Sequence, residues 1–196
     1  MARPRTFDES DVVAAARDEF WSRGYTATSM DDLTTATGLG KGSLYGAFGD
    51  KHSLYLRALD GYCVSAIDGV RAQLREPGVN AYERLVRHIR AQAASVAADT
   101  DRRGCMMSKS AAELGASDDA VARIVERNLK AWRTELIDCL AAAQREGSID
   151  VGVNPQALAT TLLAFMRGLE AVQKGRIGPA QIKAAAEQII ALIPTT

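Results

Sequence analysis

Apolar positions along the chain fall at helical spacing from the outset. Val12, Val13, Ala16 and Phe20 share one face, with Asp8 placed to cap the segment and Gly24 to end it. Ser29 and Asp32 form a short variant of the capping box at the start of "MDDLTTAT". Asp50 opens a long helix bearing Tyr55, Leu59, Tyr62 and Ala66 that runs towards Pro77-Gly78, and Asn80 opens another with Leu85, Ile89 and Ala93 on one face. Past the polar "DTDRRG", a short helix is predicted from Cys105 to Leu114. Ser117 then caps a long one, in which Ile124, Asn128, Trp132 and Leu136 recur every fourth place until Gly147. Asn154-Pro155 is a cap with proline at the first helical position, and Gly175 closes that helix. Pro179 starts the last, with Ile182, Ile189 and Ile193. No strand-like alternation survives, so the pattern predicts an all-α protein of about nine helices.

Composition changes this picture little. An apolar content of 47% supplies an ordinary core, and 24 basic against 24 acidic residues give no bulk preference for a polyanion. The start, "MARPRTFDES", lacks the apolar segment of a signal peptide, and no run approaches the roughly 18 apolar residues that span a bilayer. Cys63, Cys105 and Cys139 are odd in number and far apart, which suits a reducing cytoplasm better than a disulfide framework. His52 and His88 are too few for a multi-histidine metal site, and no cofactor motif is present. His88 reads as a satisfied or partly exposed histidine.

The stretch "TGLGKGSLYGAFGDK" packs five glycines and two lysines into fifteen residues. A phosphate-cradling loop requires glycine, four residues, then Gly-Lys-Ser/Thr, whereas Gly40-Lys41 runs into Gly42, and position 35 is Thr35. The dinucleotide fingerprint fails because it would need glycine at 43. What fits is a helix, a tight turn at Gly38, an inward Leu39, and a second helix from Lys41 to Phe48 with Gly40 as N-cap: a helix-turn-helix. Gly42 then lets the first turn of that helix approach a DNA backbone, with Lys41, Ser43 and Tyr45 beside it and Leu44 and Phe48 on the buried side.

Residues 7–59 resemble the TetR family of bacterial transcriptional repressors. The likeness is carried by Gly24-Tyr25, Ser29-Met30, Gly38-Leu39, Leu44-Tyr45, Phe48 and Lys51. It implies operator contacts from Ser29, Lys41, Ser43, Tyr45 and Lys51, and a division into a DNA-binding domain over 1–52 and a helical ligand-binding and dimerisation domain over 53–196. Gly40 replaces a frequent serine, a change that an N-cap accepts. Gly46 and Ala47 replace residues that are often aromatic or histidine, so side-chain contacts from those places are lost. The later "RRGCMMSKSAAELG" resembles, more loosely, a branch of the family with Gly-Cys at the start of helix six. The family encloses a ligand pocket between helices four and eight, for which Tyr62, Met106, Met107, Trp132 and Phe165 are lining candidates, and plain core packing is the alternative for each. Asn128, on the face of Trp132, is a candidate polar anchor.

Residues 1–52 hold six basic and eight acidic residues, so placement of cations rather than net charge must carry DNA binding. Arg3 and Arg5 read either as an arm entering the minor groove, as in homeodomains, or as an ordinary terminus. Cys105 opens a helix with Arg102 and Arg103 before it and Lys109 one turn on. That setting suits either a reactive thiolate sensing electrophiles or oxidants, or a small buried thiol. The last two helices, with Leu158, Leu162, Phe165, Met166 and Leu169 on one and Ile182, Ala185, Ile189 and Leu192 on the other, are expected to pair with a second copy as a four-helix bundle.

The leading expectation is therefore a cytoplasmic, homodimeric repressor that binds a double-stranded, inverted-repeat operator and is released by a small apolar or electrophilic effector. Two other classes stand beside it. A helical carrier or enzyme would need a nucleophile with its base or a metal cluster, and no such motif occurs. A sequence-independent architectural DNA binder would leave the long C-terminal half without a role.

Overall fold

A computed structural model describes residues 7–196. Among these, nine helices follow one another without a strand: α1 (Glu9–Arg23), α2 (Met30–Thr37), α3 (Lys41–Phe48), α4 (Lys51–Leu74), α5 (Ala81–Ala98), α6 (Met106–Leu114), α7 (Asp119–Arg145), α8 (Pro155–Lys174) and α9 (Pro179–Ala191). Local chemistry sets most boundaries. Asp8, Asn80 and Asn154 accept the amides of Ser10, Glu83 and Ala157 as N-caps, and Asp50 accepts that of Ser53 at 2.6 Å. One cap differs from expectation. Asp118 Oδ1 receives the amides of Ala120 and Val121 at the start of α7, while Ser117 turns its hydroxyl back to the Leu114 carbonyl. Being ionised, the neighbouring carboxylate is the stronger acceptor.

The described chain forms two compact units. The first joins everything up to Val64 with Cys105–Glu126, and the second joins Ser65–Gly104 with Arg127–Thr196. The units are thus drawn differently from a division at residue 52: α6 clusters with the helix-turn-helix, and α4 and α7 each lend residues to both units.

In the first unit Phe20, Leu33, Leu44, Leu54, Tyr55 and Leu59 are almost wholly buried. The Phe20 and Tyr55 rings meet edge-on at 5.0 Å. In the second, α5 packs on α8 and α9. Leu85, Ile89, Leu136, Leu140, Leu162, Met166 and Ile182 fill that core. The residues expected to form the dimer seam are thereby corrected. Leu162, Met166, Leu169 and Ile182 are buried within the protomer, Leu158, Phe165, Ala185 and Ile189 are half-buried, and of the group only Leu192 is exposed. The face of α8 opposite its buried side carries Ala157, Thr161, Ala164, Gly168 and Ala171, alternating by four and three and all exposed.

Candidate nucleic-acid interface

Gly38, with φ of 69° in the left-handed region, ends α2 and lets the chain turn into α3 within three residues. Leu44 and Phe48 anchor α3 to the core, which leaves Lys41, Gly42, Ser43, Tyr45 and Gly46 on its exposed surface. Tyr45 is 47% exposed, a large aromatic ring facing outward. Nothing lies within 4 Å of where a Cβ at Gly42 would sit, so the protein's own packing does not demand glycine there. A helical glycine costs about 1 kcal/mol relative to alanine, and no neighbour within 4 Å offsets that cost at Gly42.

Lys41 Nζ lies 2.7 Å from Asp31 Oδ1, with both side chains exposed. The hydrogen bond and charge of Asp31 raise the lysine's pKa above its ordinary value. Ser29 is committed locally: its Oγ accepts the Asp32 amide and donates to Asp32 Oδ2 at 2.7 Å. The Ser29 hydrogen bonds, aided by Arg23, draw Asp32 down to about 2. Lys51, for which the resemblance implies an operator contact, is bonded within the protein. Its Nζ donates to the carbonyls of Tyr25 and Thr28, each at 2.9 Å, and sits 4.2 Å from the Tyr25 ring centre. One N–H of that ammonium remains for an outside acceptor. Arg3 and Arg5 lie outside the described residues.

α6 grips the turn between α1 and α2. Lys109 Nζ donates to the carbonyls of Trp21 (3.1 Å) and Ser22 (2.8 Å), capping the end of α1. Glu113 accepts the amides of Tyr25 (3.0 Å) and Thr26 (2.7 Å), one on each oxygen. Tyr55 donates to Ser110 Oγ at 2.7 Å, and His52 Nε2 lies 2.5 Å from Asp118 Oδ2. The sequence reading missed Glu113 and placed Lys109 beside Cys105. Four residues apart on a short helix, the two look like an ordinary solvated ion pair.

The expected ligand residues fall into two groups. In the first unit, Tyr62 OH donates to Cys105 Sγ at 3.5 Å, and its ring meets Trp21 edge-on at 5.0 Å. Cys105 is the N-cap of α6 and buried, and Met106 beside it is core. In the second unit, Asn128 and Trp132 are buried and Phe165 is half-buried. Trp132 Nε1 donates to His88 Nε2 at 3.1 Å, so His88 Nδ1 carries the proton and donates to Gln73 Oε1 at 2.6 Å. Burial, then the Arg167 charge, pushes His88 down to about 4. The Arg167 guanidinium lies 4.4 Å from the Trp132 ring centre and pairs with Glu170 at 2.7 Å. Among the described residues no group of three His, Cys, Asp or Glu is placed to hold a metal.

Comparison with known proteins matches two family descriptions. Residues 12–58 match the bacterial regulatory proteins of the tetR family, and residues 81–193 match the tetracyclin repressor-like C-terminal domain. The chain is 29% identical over 151 residues to YezE of Bacillus subtilis (strain 168), an uncharacterized HTH-type transcriptional regulator, covering 76% of this chain and 77% of that one. It is 26% identical over 164 residues to the HTH-type transcriptional repressor DhaR of Mycobacterium sp. (strain GP1), covering 84% and 81%. A cysteine mutant of the TetR family transcriptional regulator CifR, complexed with 26 bp operator DNA, superposes with a TM-score of 0.79. It is 27% identical and covers 98% of this chain and all of that one.

Proposed function

This chain belongs to the TetR family and is a DNA-binding transcriptional regulator; from there we propose that it acts as a dimeric repressor, released from an inverted-repeat operator by a small-molecule effector. The observation that carries the DNA-reading part is the exposed surface of α3, where Lys41, Ser43 and Tyr45 surround a glycine whose Cβ position is open. Lys41 and the amides at the start of α3 meet phosphate, and Ser43 and Tyr45 reach base edges or the backbone. Ser29 and the remaining N–H of Lys51 add phosphate contacts at the ends of α2 and α4. Arg3 and Arg5 are further candidates for contact with the minor groove.

The dimer forms through α8 and α9. Ala157, Thr161, Ala164, Gly168 and Ala171 make a seam of small residues that brings a second α8 close, and Leu192, 65% exposed just past the end of α9, extends the apolar surface. A shallow groove lined by Arg133, Gln156, Ala157 and Thr160 runs beside that seam. Two copies so joined carry two α3 helices, which must enter successive major grooves about 34 Å apart.

The effector is a small apolar or electrophilic molecule, for which Tyr62, Cys105 and Met106 in the first unit, and separately Asn128, Trp132 and Phe165 in the second, are the candidate contacts. Action is cytoplasmic, where bacterial DNA lies; no helix among the described residues is long and apolar enough to cross a membrane. Selection of duplexes from a random pool tests the reading directly, since it should return an inverted repeat. Metabolites that shift the melting temperature are then titrated with and without that duplex. Effector and operator must weaken each other by the same factor, and equal effector affinities in the two titrations rule out that molecule as inducer.

A further inference from the structure

The turn between α1 and α2 is held by charged side chains from outside it. Lys109 takes the carbonyls of Trp21 and Ser22, Lys51 those of Tyr25 and Thr28, and Glu113 the amides of Tyr25 and Thr26. Six backbone groups over eight residues are thus fixed by three side chains, two of them on α6. Bonds to ionised groups are the stronger kind, and the two oxygens of Glu113 each take a separate amide, so its carboxylate has one orientation. Gly24 contributes space as well as conformation. With φ of 90° it stands where a Cβ would lie 2.8 Å from Glu113 Oε2, so the carboxylate occupies room that only glycine leaves. Partial burial raises the Glu113 carboxyl, but the Thr26 and Tyr25 amides and the nearby Lys109 charge outweigh it, and its pKa lies below the ordinary value.

We propose that Lys109 and Glu113 are positioning residues of the DNA-reading head: they dock α6 on the α1–α2 turn and so fix the attitude of α2 and α3 towards the operator. The signs of the pair give the contact its directionality. Lys109 finds carbonyls at the end of α1 and Glu113 finds amides just beyond it, so sliding α6 along its own axis sets each charge against the wrong backbone group. A displacement of about 1 Å would also stretch these bonds beyond the roughly 3.5 Å at which they cease to count. A small movement is thus enough to break the docked arrangement. Anything that moves α6 moves the reading head directly, without needing α4 to tilt. The inference rests on α3 being the DNA-reading helix, and the two can fail separately.

The experiment uses full-length protein and the duplex that wild-type protein selects from a random pool, with an unrelated duplex at the same salt as control. Glu113→Ala and Lys109→Met should each lower affinity for the selected duplex about tenfold, the scale of one charge-assisted bond, while affinity for the unrelated duplex holds. General attraction between cations and phosphate does not depend on that attitude, so the ratio of the two affinities is what falls. Glu113→Gln, which keeps one acceptor oxygen, should lie between wild type and Glu113→Ala. Hydrogen exchange supplies a readout independent of DNA: the Tyr25 and Thr26 amides should exchange faster in Glu113→Ala, while those within α4 and α7 keep their protection. An unchanged affinity ratio with unchanged exchange at Tyr25 and Thr26 overturns the proposal. Equal losses on both duplexes overturn it too, since they mark a merely unstable protein. Failure of wild-type protein to select any sequence would sink the reading of α3 as well, whereas selection by wild type with indifferent variants sinks only this inference.

Discussion

The pairing of Lys41 with Asp31 gives the reading surface an internal competitor for phosphate. Exposed ion pairs contribute little to folding, so if Lys41 meets phosphate as proposed, the pair's effect falls at the DNA, where Asp31 gives up the ammonium. Lys41→Ala should weaken binding to all duplexes alike and flatten the dependence of log affinity on log salt by about one unit. Asp31→Asn should move binding to unrelated duplexes the opposite way. Anisotropy titrations over a salt series read both, and a fall in affinity on replacing Asp31 would mean that its carboxylate contacts a base. Asp32, next in sequence, behaves differently, because its carboxylate closes the capping box with Ser29. Its pKa is lowered, so the stabilisation is present above the unfolded value near 3.8 and is lost as pH falls towards about 2. Asp32→Asn should therefore melt below wild type at neutral pH, with the gap closing across that acid window. A gap that persisted at the acid end would assign the effect to side-chain shape rather than charge.

Element by element, the chain was legible wherever the determining chemistry is local. Asp8, Asn80 and Asn154 announce helix starts because a short polar side chain before an apolar run has few other uses. Ser117 and Asp118 show the limit: two competent caps stand side by side, and only the surrounding fold decides between them. Periodicity likewise marked Leu162, Met166 and Leu169 as one apolar face of α8 without saying what covers it. They pack inside the protomer, and the seam proposed for the second copy consists of small residues with no hydropathic signature. Among the proposed DNA contacts, Tyr45 and Lys41 are suggested by the helix-turn-helix spacing, and both side chains are exposed. The grip of Glu113 on Tyr25 joins residues 88 apart, a separation that no local pattern spans. Gly168 makes the α8 reading testable. It sits in mid-helix with open space at its Cβ position, so a larger residue is accommodated in one copy but not between two closely packed helices. Gly168→Leu should leave the fold intact, raise helix propensity by a fraction of the roughly 1 kcal/mol separating Gly from Ala, and loosen the dimer. Sedimentation should find more of the 21.0 kDa protomer in the variant at equal concentration; a wild type that is itself monomeric would remove the dimer altogether.

For the molecule as a whole, one buried histidine should make stability fall with acid. His88 is wholly buried and neutral, bonded at both nitrogens, and its folded pKa is pushed down from 6.5 to about 4. The unfolded chain takes up a proton below 6.5 and the folded one does not, so this contribution is complete above 6.5 and falls with pH down to about 4. Within that window the loss approaches 1.4 kcal/mol per unit. Denaturant titrations of wild type and His88→Gln should converge as pH drops through it; parallel curves would show that other groups govern acid sensitivity. Construction of the first unit from two separate stretches of chain has another consequence, on the ribosome. At about 5–20 residues per second, α1 to α3 emerge a few seconds before α6 is made. During that interval the nascent head has its helices but neither Lys109 nor Glu113 to hold the turn between the first two. Translation thus completes the tool only after the segment between Val64 and Cys105 has been synthesised, and chains cut short within it should compete poorly for the operator against finished copies.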